Sequence, residues 1–225
     1  MVKQERALRT REALIESAAT VFDRDGFSVA SLAAISSLAG VSNGALHFHF
    51  SSKAGVADAV EQAASERLEL LVGVHGEAVG NALQMLVDTS HRLARELGED
   101  VVLRAGFELS RDQVRQGGRD LYRQWHAWVE EALKRAEGEG ALNGIAPEQV
   151  ASSVVAATTG FEVLGARDPE WLSRRTVTRF WQLLLPQLAT PPVLGSLVAA
   201  GGPSGDHARR TRDDGPAAQA GGEDD

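Results

Sequence analysis

Metal and nucleophile chemistry are the first possibilities that the residue types raise, and the spacing removes both. The chain has six histidines and no cysteine in 225 residues. His47 and His49 are two apart, which on a helix is a rotation of roughly 200°, so they cannot close on one ion. His75, His91 and His126 stand alone in sequence and read as surface or core histidines. Without cysteine there is no disulfide and no thiolate chemistry, which fits a reducing cytoplasm. No phosphate loop, Gly-x-Ser-x-Gly turn or dinucleotide fingerprint is present. Nothing therefore supports an enzyme, and neither a metal nor a cofactor is expected. What remains is recognition by hydrogen bonds. Ser42, Asn43, Gly44 and Ala45 form a small, polar leading turn, and a helix that begins so can enter a major groove without its own bulk holding it off.

The elements that must position this turn lie in SVASLAAISSLAGVSNGALHFHFSSK, residues 28–53. Leu32, Ile35 and Leu38 recur every three residues, enough for one buried face of a short helix, and Ser31 is its N-cap. Ala39-Gly40 breaks the pattern, with Gly40 suited to a left-handed exit. Ser42 caps a second helix, and Val41 can pack on Leu46 as a staple. Helix, glycine turn and short helix make a helix-turn-helix.

The wording of the run from Gly40 to Lys53, GVSNGALHFHFSSK, resembles the DNA-binding domain of the TetR family of bacterial repressors, whose recognition helix commonly reads GVSxGALYxHFxSK. The resemblance is strongest over residues 1–60. His47 stands where the family usually has a phosphate-contacting tyrosine, and Asn43 where lysine or threonine is frequent. Both keep a hydrogen-bonding group, but Asn43 brings no positive charge. The resemblance implies that Ser31, Ser42, Asn43, Gly44, Ala45, His47, Phe48, His49 and Lys53 meet DNA. The leading turn would approach bases, while His47, His49 and Lys53 would mainly hold phosphates.

The charge agrees once it is divided. The chain carries a net charge of -8, yet residues 1–53 hold six Lys/Arg against five Asp/Glu. The positive charge concentrates in Lys3, Arg6, Arg9 and Arg11. A weakly basic head on an acidic body lets phosphate attraction choose the end that docks, and argues against sequence-blind coating of DNA. No apolar run reaches membrane-spanning length, and the charged start leads into no signal core, so a cytoplasmic, nucleoid-associated protein is expected.

The rest reads as helix. One runs from about Gln4 to Asp25, with Leu8, Ala13 or Leu14, Ala18, Val21 and Phe22 inward and Gly26 stopping it. Others span about Lys53 to Val72, Glu77 to Leu97, Val101 to Arg111, Asp120 to Glu137, Pro147 to Gly165 and Pro169 to Leu188. In the eighth, counting both helices of the motif, Val150, Val154, Ala157, Phe161 and Leu164 form one stripe, with Val155, Thr159 and Val163 opposite. A helix apolar nearly all round is buried on both sides, one side in its own domain and the other against a second subunit. Beyond Thr190 the composition turns to Gly, Pro, Ala and charge, which predicts a disordered tail.

The body also resembles one branch of that family, the gamma-butyrolactone receptors of Streptomyces. The likeness lies in VVLRAGF at residues 101–107, in QWHAWVEEAL around Trp125, and in Thr158-Thr159-Gly160-Phe161. It implies that Trp125 lines a ligand pocket, with Trp128 as the competitor, and that Thr159 offers a hydroxyl. An indole supplies a flat apolar wall and one N–H donor, suited to an alkyl lactone.

The expectation is an all-α chain: a three-helix helix-turn-helix domain at 1–52, a helical ligand-binding and dimerisation domain at 53–190, and a disordered tail at 191–225. As a homodimer it would bind palindromic, double-stranded operator DNA. A small inducer of gamma-butyrolactone, butenolide or furan type would release it. The alternative is a regulator of the same build that ignores lactones and answers to antibiotics or other xenobiotics.

Overall fold

The computed structural model describes residues 2–73, 81–112 and 118–202, the side chains of Val2 and Lys3 excepted. The expected helix start at Glu77, His75, and the tail from residue 203 lie outside the described residues. What is described is helical, with one isolated bridge pairing Leu142 and Ala189.

Three elements make the head. Helix α1 spans Val2–Val29, with Gly26 in a left-handed conformation (φ 75°) where the sequence placed its stop. Leu14, Ala18, Val21 and Phe22 are buried as expected, whereas Leu8 is exposed. Helix α2 spans Leu32–Leu38 and α3 spans Asn43–His49. Ser31 Oγ accepts from the Ala34 amide and Ser42 Oγ from the Ala45 amide, both at 3.1 Å, so each helix start is capped by its own hydroxyl. Between them Gly40 takes φ 67°, and the Val41 amide reaches back to the Ser36 carbonyl at 3.0 Å. That glycine turn sets the angle between the two helices.

Helix α4, Lys53–Gly73, begins directly after the motif, and the Gly55 amide donates to Ser52 Oγ. The body follows with α5 (Ala82–Glu99), α6 (Val101–Arg111), α7 (Leu121–Gly138), α8 (Pro147–Gly165) and α9 (Arg174–Leu188). The helix expected from Pro169 is divided. Pro169–Leu172 is a 3₁₀ turn, and Ser173 restarts the chain by capping α9 through the Thr176 amide. Pro186 sits inside the last turn of α9 without ending it.

The chain beyond Thr190 differs from the expected disorder as far as Gly202. A short α10, Pro191–Leu194, leads into a segment laid along α5. His91 Nε2 lies 2.9 Å from the Ala199 carbonyl, Asp88 accepts from the Gly202 amide at 2.8 Å, and Gln84 pairs with the backbone of Val198. Composition argues from side chains that can be buried. This segment packs Leu197 and Ala199 on the core, and its backbone is held by polar side chains of α5 and α9.

Helix α6 is the pivot between head and body. Its Gly106 meets α4 so closely that an added Cβ would stand 2.2 Å from Ala64 Cβ, well inside the ~3.5 Å at which carbons touch. Gly106→Ala gains about 1 kcal/mol of helix propensity, but forcing the helices apart costs about 3 kcal/mol. The net loss should lower Tm by about 4–8 °C in a thermal melt. Adding Ala64→Gly should restore most of it.

Candidate DNA-reading head and ligand cavity

On α3 the expected reading surface is open to solvent. Ser42, Asn43, Gly44 and His47 are exposed, Ala45 and His49 partly so, and Phe48 is 81% exposed. Leu46 is fully buried and anchors the helix from behind, as Ile35 does for α2. Asn43 is not a loose side chain: Ser36 Oγ, buried on α2, donates to its Oδ1 at 2.6 Å. The bond leaves Asn43 its amide N–H donors, the group that reads base acceptors in a major groove. Phe48 stacks edge-on against His49 at 5.2 Å. Of the N-terminal arginines, Arg9 pairs with Glu5, and Arg11 lies over the Phe50 ring at 5.3 Å.

Lys53 is used differently from the expectation. Its ammonium donates to the carbonyls of Phe27, Ser28 and Ala30, at 2.7, 3.1 and 2.9 Å, and lies 4.7 Å from the Phe27 ring. An ammonium has three protons, and these carbonyls take all three. Lys53 thus ties the start of α4 to the last residues of α1 and to Ala30 just beyond it, and is not placed to hold a phosphate. Lys53→Gln should accordingly lower the melting temperature. It should leave the salt dependence of operator binding unchanged, whereas loss of a phosphate contact would reduce the slope of log K against log salt by about 0.9.

In the body, Trp125 is 1% exposed, and its Nε1–H donates to Thr158 Oγ1 at 2.9 Å. Trp128 stacks on it, ring centroids 5.2 Å apart and nearly parallel. A cavity of about 10 Å³, room for about one water, is lined by Leu93, Leu97, Phe107, Tyr122, Trp125, Thr158, Thr159 and Glu162. Trp125 and Thr159 therefore line one cavity, and Trp128 backs Trp125 from outside that lining. Sequence reasoning missed Thr158, Tyr122 and Glu162. The inner face of α8 continues Val150, Val154, Thr158, Glu162 in steps of four. Leu164, expected on that face, is 41% exposed. A search for apolar spacing passes over the two polar residues that the face carries inward. Tyr122 had no such signal, although it lies one turn before Trp125.

The polar end of this cavity is a connected group. Tyr122 Oη donates to Glu162 Oε2 at 2.8 Å, and Arg111 Nη1 donates to the same oxygen at 3.0 Å. Burial pushes the Glu162 carboxyl above its ordinary pKa, while the Tyr122 hydrogen bond and the Arg111 charge pull it back. Burial and the neighbouring carboxylate also raise the Tyr122 phenol, which keeps it a donor.

From this cavity α6 leads to the head. Phe107 forms part of the wall, Gly106 sits on α4, and Arg104 clamps Asp23 of α1 through Nε at 2.7 Å and Nη2 at 3.0 Å. Both side chains are three-quarters buried, and the two-bond fork fixes direction as well as distance. Arg67 of α4 also pairs with Asp100, the residue that caps α6.

Known proteins resemble this chain in sequence and in fold. The family model for bacterial regulatory proteins of the tetR family matches residues 14–60, and the model for the C-terminal part of BetI-type transcriptional repressors matches 108–188. The A-factor receptor protein of Streptomyces griseus is 32% identical over 203 residues, 89% of this chain and 71% of that protein. A crystal structure of a gamma-butyrolactone receptor, an ArpA-like protein, superposes with a TM-score of 0.76 at 26% identity, covering 92% of this chain and 99% of that one. The TetR family protein CprB from Streptomyces coelicolor, solved in complex with its operator sequence, gives 0.74 at 27%, with the same two coverages of 92% and 99%. The capped helix-turn-helix, the helical body and these likenesses together place the chain in the TetR family, as a DNA-binding regulator of the autoregulator-receptor type and not an enzyme.

Proposed function

We propose that this chain is a homodimeric repressor that leaves a palindromic operator when a small diffusible signal of gamma-butyrolactone, butenolide or furan type enters beside Trp125. The observation that carries this reading is the course of α6. One rigid helix of 11 residues places Phe107 in the cavity wall, Gly106 against α4 and Arg104 on α1. A cavity of about 10 Å³ is far below the ~300 Å³ or more of typical ligand pockets. A ligand must therefore push its walls apart, and α6 cannot move without shifting both helices that carry the head. Close-packed interfaces respond by switching arrangement rather than by stretching.

Dimerisation rests on an apolar face without cover in one chain. Val163 and Leu164 on α8 and Leu183 on α9 are exposed, with Phe161 and Phe180 in edge contact beside them. A second copy covering this face would hold two α3 helices at a fixed separation, roughly 34–36 Å or a multiple in helix-turn-helix dimers. Residues 1–52 would act as the reading head and 53–190 as the sensing and pairing body. Among the described residues no helix is long and apolar enough to cross a membrane, and operator binding would place the protein in the cytoplasm, on the nucleoid.

A gel shift with promoter DNA flanking the gene tests this. The expected result is a retarded band that a racemic alkyl gamma-butyrolactone abolishes. A band that persists under lactones and yields to antibiotics would favour the xenobiotic-responsive alternative.

A further inference from the structure

We infer that Glu162 sets the inducer class: the site takes a neutral ligand bearing a hydroxyl that donates to this carboxylate, and rejects ligands that bring a carboxylate to the same end. The inference rests on the ligand site proposed beside Trp125.

Glu162 is 5% exposed on α8, on the wall of the Trp125 cavity, which it shares with the apolar Leu93, Leu97 and Phe107. Its two oxygens are unequally served. Oε2 receives the Tyr122 hydroxyl at 2.8 Å and Arg111 Nη1 at 3.0 Å, whereas among the described residues Oε1 has only a long Arg111 contact at 3.4 Å. Two donors converge on Oε2, the pattern that an ionised carboxylate accepts, and both oppose the burial that raises its pKa. Oε1 thus has spare acceptor capacity on a residue of the cavity wall, which a ligand that parts the walls would meet in a setting of low dielectric, where a hydrogen bond to a charged group is strong. A ligand hydroxyl satisfies it. A ligand carboxylate would meet like charge there, and Arg111 is already engaged by Glu162 itself. The indole N–H of Trp125 is taken by Thr158, so it does not supply a competing donor for such an anion.

The test uses the full-length protein and three matched lactones on one ring and alkyl chain. One carries a hydroxyalkyl arm, one the same arm without the oxygen, and one the arm ending in a carboxylate. The readout is the concentration of each that releases a fluorescent operator fragment. Wild type should prefer the hydroxyl compound over the deoxy compound by about tenfold or more, with the carboxylate weakest. Glu162→Gln, close in shape, should still bind operator. It should reduce the hydroxyl preference to a few-fold and admit the carboxylate compound at least tenfold better. Tyr122→Phe should keep both the hydroxyl preference and the exclusion of the carboxylate. Equal response to hydroxyl and deoxy lactones, or an unchanged order in Glu162→Gln, overturns the role of Glu162 and leaves the lactone site standing. Loss of discrimination in Tyr122→Phe would overturn it too, by making the phenol the recognising group. Release by none of the three, from protein that binds operator, overturns the lactone site and this inference with it.

Discussion

An Asn43→Ala, His47→Ala double variant should lose operator-specific binding by about 100-fold or more while keeping its fold and its ligand response. A good side-chain contact to a base edge is worth about 1–3 kcal/mol, and a phosphate-directed partner on the same helix adds to it. Both residues are exposed, so their removal leaves no cavity in the head. Asn43 carries more weight than a solvent-facing amide normally would. The bond from buried Ser36 fixes its carbonyl and so its N–H donors, which lowers the entropy lost on docking. A competition assay should show the variant binding operator and random DNA nearly alike. Unchanged operator affinity would move the reading surface away from α3.

The second large effect concerns Trp125, and its size demands a choice of variant. Trp125→Ala empties a fully buried site and costs about 3–5 kcal/mol, a large share of the ~5–15 kcal/mol that holds a domain together. Loss of response in that variant would not separate sensing from stability. Trp125→Phe keeps an aromatic wall against Trp128 and removes the hydrogen bond to Thr158, whose hydroxyl still has the Val154 carbonyl as acceptor. It should bind operator as wild type does and need at least tenfold more lactone for release, read by anisotropy of labelled operator. Normal release in Trp125→Phe would transfer the ligand wall to Trp128.

The head and the cavity were not equally legible in the sequence, and the difference is physical. A helix-turn-helix is made by local chemistry: Ser31 and Ser42 cap within three residues, and Gly40 turns the chain where it stands. The stretch itself therefore contains the information. Trp125 and Thr159, singled out through likeness to a family, both line the cavity. The polar end of the cavity was not legible, because Arg111, Tyr122 and Glu162 come from three helices and gain meaning only when packing brings them together. Lys53 shows the converse. A lysine at the end of a recognition motif reads as a phosphate ligand, yet three backbone carbonyls 23 to 26 residues earlier claim it. The segment at 195–202 was misjudged for a similar reason, since the groups that hold it belong to α5 and α9.

The central claim is that the Trp125 cavity and the α3 surface are coupled through α6, and linkage tests it most directly. Coupling must be reciprocal: if lactone weakens operator binding by some factor, operator must weaken lactone binding by the same factor. The measurement is the lactone dissociation constant, from quenching of tryptophan fluorescence, with and without saturating operator, on a fragment recovered from genomic DNA by the protein itself. The expected result is a lactone affinity at least tenfold weaker on operator, matched by the loss of operator affinity in lactone. Equal lactone affinity in the two states would contradict the coupling, however tightly each ligand binds alone.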